Sequence, residues 1–165
     1  MKPALLPHAT VGSLLGLIDA MAETPGPDDL YRLAERLRLP LDELHPLLMA
    51  ARLLGWARVA HGDYDLTGEG RRVAAATVAE RKTLFRERVR DLPLIASILR
   101  ALAAHTPVSR ETVLAGLRPQ VGPPEAERQV DTAVDWGRWA ELFDYDADDA
   151  CFLRTPPTRE HTDEA

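Results

Sequence analysis

The sequence predicts a mainly α-helical fold with small β-hairpins. Apolar residues recur at helical spacing in successive segments, and short strand-like runs follow the third helical segment of each half. The element order of the first half also returns in the second half, where a tryptophan-alanine pair again marks the end of the third helix. Three helices followed by a β-hairpin are typical of a winged helix-turn-helix. We therefore predict two tandem winged-helix-like units joined by a helical connector.

Composition narrows the class of protein. The chain has 165 residues, a formal net charge of −6 and one cysteine, Cys151. A single cysteine excludes an internal disulfide and suits a reducing compartment. No apolar run approaches the length of a membrane-spanning helix, and the first residues lack the apolar core of a signal peptide. We expect a folded protein without membrane insertion.

The first unit is predicted over residues 11–67, after an extended N-terminal segment at residues 1–10. Asp28 can cap the second helix of this unit, and Gly55 follows the third helix as a C-terminal glycine. A β-hairpin is predicted around His61-Gly62-Asp63. The first helix presents one apolar face, formed by Val11, Leu14, Leu15, Ile18 and Met21.

Residues 68–92 form the predicted connector, a helical segment that bends or divides. Thr67 can cap its start, and Thr77 with Glu80 three residues later predicts a capping box that restarts the helix. The second unit follows at residues 93–154, and the tail at 155–165 is predicted to be disordered.

Within the second unit, Pro93 suits the first turn of the first helix and Ser109 can cap the next one. The proline- and glycine-rich stretch "RPQVGPP" at 118–124 predicts a loop. The second hairpin is expected to turn within its acidic middle, between two strands, with Cys151 buried in the second of them.

At the level of motifs, the chain resembles the AAA-associated C-terminal domain, which follows the ATP-binding subunit of ABC importers of the nitrate, sulfonate and taurine type. The resemblance covers nearly all of residues 10–154, with a tryptophan at Trp139 where tyrosine is expected. It is carried by the stretches "GLIDAM", "DDLYRLAERL", "LLGWARVAHGDYDLTGEGRRVA", "ERKTLFRERV" and "VDWGRWAELFDYD", which occur in family order.

This resemblance implies a non-catalytic regulatory or interaction domain of a bacterial importer. Its implied partner is the ATP-binding subunit or the cytoplasmic face of the permease, and its implied location is the cytoplasm or the inner face of the cell membrane. A P-loop needs a glycine-rich turn followed by lysine and a hydroxyl residue, and neither Lys2 nor Lys82 has that context. We expect no enzymatic activity and no cofactor. Met1 favours a separately encoded domain.

The main alternative is a winged-helix transcriptional regulator that binds DNA. Affinity for DNA comes largely from lysine and arginine, and specificity from the recognition helix. The third helix of the first unit instead begins with Asp42 and Glu43 and has only Arg52 near its end. The second hairpin is acidic as well, so the charge distribution argues against nucleic acid. Self-association of the chain through exposed strand edges or aromatic surface is a third interpretation.

Two segments are candidate partner-binding sites. Seven of the chain's 20 basic residues lie at positions 71–90. They form either a solvated helix face with local ion pairs or a surface for an acidic partner, an ATPase subunit or anionic lipid; RNA is a weaker option. The stretch "DWGRWAELFDYD" forms either a core or an exposed aromatic anchor. The candidate residues are Arg81, Lys82, Phe85, Arg86, Trp136, Arg138, Trp139 and Tyr145.

Phe85 distinguishes the two interpretations of the connector, since we expect it to be buried if the helix serves only as a strut. The five histidines are scattered and have no partner at ligand spacing, so no metal site is predicted. A cleft between the two units is the place where a small molecule would bind.

Overall fold

The computed structural model describes residues 5–24 and 26–156 and confirms a mainly helical fold with small antiparallel hairpins. The expectations for residues 1–4 and 157–165 lie outside the described residues. In the first half the elements are α1 (Val11–Glu23), β1 (Asp28–Asp29), α2 (Leu30–Leu37), α3 (Leu41–Leu53), β2 (Ala57–Ala60) and β3 (Asp63–Leu66). The connector contains α4 (Gly68–Ala75) and α5 (Val78–Val89). The second half contains α6 (Pro93–Ala104), β4 (Val108–Ser109), α7 (Arg110–Val121), α8 (Pro123–Trp139), β5 (Asp144–Asp146) and β6 (Cys151–Leu153).

Polar caps define most of the helix starts. The Thr67 and Ser109 hydroxyls accept hydrogen bonds from the backbone N–H groups of Gly70 and Thr112, as predicted. The predicted cap at Asp28 is wrong, because Asp29 accepts from the Arg32 N–H instead. Asp28 belongs to a strand, where it pairs with Tyr64.

Each half contains a three-stranded antiparallel sheet of the same order, β1-β3-β2 in the first and β4-β6-β5 in the second. The predicted hairpins supply two strands of each sheet. His61 and Gly62 form the first turn, and both have the positive φ that a two-residue hairpin loop requires. The third strand, β1 or β4, is only two residues long, too short to give an alternating pattern in the sequence.

The loop predicted at 118–124 is wrong. Helix α7 continues to Val121 with Pro119 inside it, and α8 starts at Pro123, so only Gly122 separates the two helices. Prolines at 123 and 124 are tolerated because the first turn of a helix has backbone N–H groups without intrahelical partners. Gly122 makes the turn with a φ of 80°.

Both halves contribute to one continuous hydrophobic core. The segment before α1 also joins them, since it packs along α8. The Gln129 side chain accepts from the Leu6 N–H and donates to the Leu6 carbonyl, both at 2.8 Å, while Trp136 Nε1 donates to the Ala9 carbonyl at 2.7 Å. The boundaries predicted at 67/68 and 92/93 separate successive groups of helices and strands along the chain. These groups share one core.

Candidate partner-binding site

Helix α5 connects the two halves and carries the centre of the predicted basic segment. Its capping box is present: the Glu80 N–H donates to the Thr77 hydroxyl, and the Thr77 N–H donates to the Glu80 carboxylate. The preceding helix ends at Ala75, so the predicted connector is in two pieces. One face of α5 packs against the core, with Leu84, Phe85 and Val89 buried.

Phe85 occupies the middle of an aromatic cluster. Its ring centroid lies 6.0 Å from that of Trp56 in the first half, and 5.6 Å and 5.3 Å from those of Trp136 and Trp139 in the second. Phe85 and Trp136 are both 0% exposed. A buried Phe85 is the position expected of a strut, and both side chains are part of the core.

Arg81 attaches α5 to α1 and α4. Its guanidinium forms a two-point ion pair with Asp19, at 2.7 and 3.2 Å, and donates to the Ala74 and Ala76 carbonyls. The arginine side chain is only 16% exposed. Arg81 therefore satisfies its donors within the chain.

Lys82 and Arg86 lie on the side of α5 that faces the end of α8. Lys82 Nζ is 3.0 Å from a Glu141 carboxylate oxygen, and 5.7 Å from the centroid of the Trp139 ring, within the range of a cation–π contact. Arg86 Nε donates at 2.7 Å to the carbonyl of Ala140, the C-cap residue that follows α8. The hydrogen bond and charge of Lys82, with the charge of Arg86, lower the pKa of Glu141 below its ordinary range.

Trp139 and Arg138 end helix α8. Trp139 is partly buried, with its ring edge-on to Phe85, while Arg138 is exposed and lies 3.4 Å from Asp144. We name Lys82, Arg86, Arg138 and Trp139 the α5–α8 face. Tyr145 is also partly buried, but its ring packs against Phe152 of the second sheet, with centroids 5.0 Å apart.

Other basic residues of the predicted segment also face carboxylates of the chain. Arg71 pairs with Asp65 and Arg88 with Glu69. Arg72 and Arg90 form no ion pair with another described residue. Most of the concentrated positive charge is therefore balanced locally, which agrees with the interpretation as a solvated face with local ion pairs.

Sequence reasoning did not identify Glu141, which binds two of the basic candidates. Its backbone has a φ of 57°, in the left-handed region after α8, and this turn directs the chain from the helix into the second hairpin. Glu141 lies shortly after Trp139 in the sequence, which was a weak signal that it belongs to the site. Its ion pair with Lys82 of α5, however, joins residues that are 59 positions apart.

The part of the chain that the structure describes holds no group of three or more histidine, cysteine or acidic residues arranged to bind a metal. Across the same residues, every helix is too short or too polar to cross a membrane. The free Cys151 is buried in β6, as expected, and burial raises the pKa of its thiol.

A model of the C-terminal AAA-associated domain family matches residues 31–146, more than two thirds of the chain. The chain belongs to this family. The match begins in α2 and runs through the connector to β5, so it includes all four residues of the α5–α8 face. No curated protein and no solved structure matches the chain.

Membership of the AAA-associated family supports an accessory domain linked to AAA or ABC ATPases. The winged-helix interpretation of the two halves stays a prediction; in each half the three helices and the hairpin occur in the predicted order, with one additional short strand after the first helix.

Proposed function

We propose that the chain is a non-catalytic regulatory domain that docks on the ATP-binding subunit of an ABC importer of the nitrate, sulfonate and taurine class. Family membership supports the link to an ATPase, and the sequence stretches of this importer class support the finer assignment. Neither lysine has the sequence context of a P-loop, and Lys82 pairs with Glu141. In this proposal the ATPase partner supplies the nucleotide chemistry.

The observation that carries the docking proposal is the environment of Trp139. Phe85 supports one edge of its indole and Lys82 lies over the ring, so this partly exposed side chain loses little conformational freedom on binding. Exposed Arg138 is its neighbour in the chain. Tryptophan and arginine are enriched among the residues that dominate binding energy at protein interfaces.

The α5–α8 face suits a partner surface with an apolar pocket and acidic groups at its rim. Arg138 and Asp144 are each more than half exposed, so their ion pair contributes little stability and is easily exchanged for one with a partner. Docking regulates the ATPase if the domain binds one conformation better than the other, which shifts the population toward that state. Such a partner places the chain at the cytoplasmic face of the membrane.

DNA binding is the less favoured function. The exposed face of α3, which would enter the major groove, carries Leu41, His45, Met49 and Leu53, and the acidic Asp42 lies near its start. Arg52 in the last turn is the one lysine or arginine of this helix, which offers little of the positive charge that phosphate contacts require.

The proposal is tested by measuring the affinity of the chain for the purified ATP-binding subunit of such an importer from the same genome. Arg138→Glu and Trp139→Ala are the test variants, and we expect each to weaken binding at least about tenfold. Arg32→Glu and Tyr31→Ala are matched controls, since both side chains are exposed on α2. Thermal unfolding of each variant separates lost binding from lost folding.

Absence of binding by the natural sequence would contradict docking on this subunit. Equal losses in the α2 controls and the α8 variants would contradict docking through the α5–α8 face. Binding of duplex DNA that weakens steeply with salt, without affinity for the subunit, would support the transcriptional alternative.

A further inference from the structure

Helix α3 exposes a row of residues that the core does not use. Leu41, His45, Met49 and Leu53 follow one another at intervals of four, so they form a single ridge along the helix. The three apolar members are 38%, 41% and 41% exposed, whereas Leu44, Leu48 and Ala51 on the opposite face are buried. An apolar ridge of this length on the surface indicates an interaction site.

The charges beside this ridge are distributed unequally along the helix. Asp42 and Glu43 lie in the first turn and Arg52 in the last turn, and all three residues are exposed. None of them forms an ion pair with another residue that the structure describes. One end of the ridge is therefore acidic and the other basic, with neither charge neutralised nearby.

The ridge, Asp42 and Arg52 are placed symmetrically about Leu47, whereas the position equivalent to Glu43 is the buried Ala51. Positions 41 and 53, 42 and 52, and 45 and 49 are equidistant from it. Two copies of α3 that run antiparallel therefore bring Leu41 opposite Leu53 of the second copy, and His45 opposite Met49. The same arrangement brings Asp42 near Arg52 of the second copy at both ends. A two-fold symmetric interface requires this kind of self-complementary surface.

We propose that α3 is the interface through which two copies of this chain form a symmetric dimer. Antiparallel packing at a small crossing angle keeps Asp42 within reach of Arg52 of the second copy. The dimer removes the exposed apolar ridge from water and satisfies both charged ends. The symmetry of the surface favours a second copy of the chain over a different protein as the partner. The acidic first turn of α3 disfavours nucleic acid.

A shallow cleft beside the ridge extends the apolar surface. Leu5, Leu6 and Pro7 lie across it from Pro46 and Met49, and Leu5 is 41% exposed. The segment that precedes α1 can therefore contribute contacts next to the helix pair. The proposed interface uses none of the four residues of the α5–α8 face, so it does not depend on the proposed docking function.

The experiment measures the mass of the full chain in solution by sedimentation equilibrium, over concentrations from about 1 to 200 µM. We expect a monomer–dimer equilibrium, and we expect Met49→Glu to raise the dissociation constant at least about tenfold. Val78→Glu is the matched control, because Val78 is an apolar residue that is 69% exposed on α5. Circular dichroism checks that the variants remain folded.

Charge reversal gives a second test that does not alter the apolar ridge. Asp42→Arg and Arg52→Asp should each weaken the dimer, and the two changes together should restore it, because the opposite charges then meet again across the interface. A mass that remains monomeric throughout would overturn the proposal. A dimer that is unaffected by Met49→Glu and by both single charge reversals would overturn it as well.

Discussion

The rings of Phe85 and Trp136 meet edge-on, with their centroids 5.6 Å apart and their planes inclined by 67°. Phe85 belongs to the connector and Trp136 to the second half, and the other side of Phe85 approaches Trp56 of the first half. A single side chain of α5 thus lies between the large buried aromatic residues of both halves. Movement of one half relative to the other would require this cluster to repack.

Replacement of Phe85 by alanine should destabilise the whole chain. The substitution leaves a cavity between three tryptophans, and truncation of a buried phenylalanine typically lowers the free energy of unfolding by about 3–5 kcal/mol. Thr83→Ala is the control, since Thr83 lies on the exposed side of the same helix. Urea denaturation followed by tryptophan fluorescence measures both variants. A loss below about 1 kcal/mol for Phe85→Ala would show that the cluster does not connect the halves.

Arg81 should contribute to the stability of the fold through its contacts with α1 and α4. Arg81→Ala removes the Asp19 pair and the hydrogen bonds to two carbonyls, so we expect a loss of about 1–3 kcal/mol. Asp19→Ala should cost less, because Arg81 keeps its carbonyl partners. A double-mutant cycle measured by urea denaturation gives the coupling energy between Arg81 and Asp19. If the effects of the two single changes simply add, the two side chains are not coupled. Weaker binding of the ATP-binding subunit at unchanged stability would instead assign Arg81 to docking.

The two glycines of "TGEG" should respond in opposite ways to alanine. A Cβ at Gly70 would lie 2.0 Å from the carbonyl oxygen of Trp56, whereas a Cβ at Gly68 meets nothing within 4 Å. We therefore expect Gly70→Ala to destabilise by about 1–3 kcal/mol or more, because the backbone must move. Gly68→Ala should range from neutral to a gain of up to about 1 kcal/mol. Thermal unfolding compares them, and equal effects would contradict this packing.

Glu125 should make stability depend on pH in the acidic range. Burial by itself raises the pKa of this carboxyl, but hydrogen bonds from Gln129 and His8 outweigh it and hold the pKa below its ordinary value of 4.5. A lowered pKa in the folded state means that the ionised form is the stabilising one. The contribution of the Glu125 carboxylate to the free energy of unfolding is complete above pH 4.5. It is lost as the pH falls through the pKa that Glu125 has in the folded state.

The Glu125→Gln variant isolates this effect. At neutral pH it should be less stable than the natural sequence, and the difference should shrink as the pH falls below 4.5. Glu35→Gln is the control, since Glu35 is exposed on α2. Urea denaturation at a series of pH values supplies the measurement. A difference between Glu125→Gln and the natural sequence that stays constant with pH would contradict the assignment.

Local features of the fold were predictable because they depend on neighbouring residues. A capping box needs only Thr77 and Glu80, and the hairpin turn needs only His61 and Gly62. The loop predicted at 118–124 was wrong because proline is permitted in the first turn of a helix, where Pro123 and Pro124 lie, and because α7 continues past Pro119. At α2 the predicted cap was Asp28, but Asp28 pairs with Tyr64 in the sheet and the next residue, Asp29, caps the helix.

The candidate site was harder to predict because its contacts join distant parts of the chain. The basic residues of α5 were visible in the sequence, but Asp19 and Glu141, which neutralise them, lie about 60 positions away. In α3, Leu44, Leu47, Leu48 and Ala51 lie at helical spacing and are buried. The meaning of its other face depends on which apolar residues stay exposed once the core has formed.

The most direct test of the proposed regulatory role is the affinity of the chain for the ATP-binding subunit in two nucleotide states. The subunit is titrated without nucleotide and with a non-hydrolysable ATP analogue, and the dissociation constants are compared. We predict a difference of at least about fivefold, because a regulator must bind one state better than the other. Equal affinities in the two states, or no binding in either, would contradict the account.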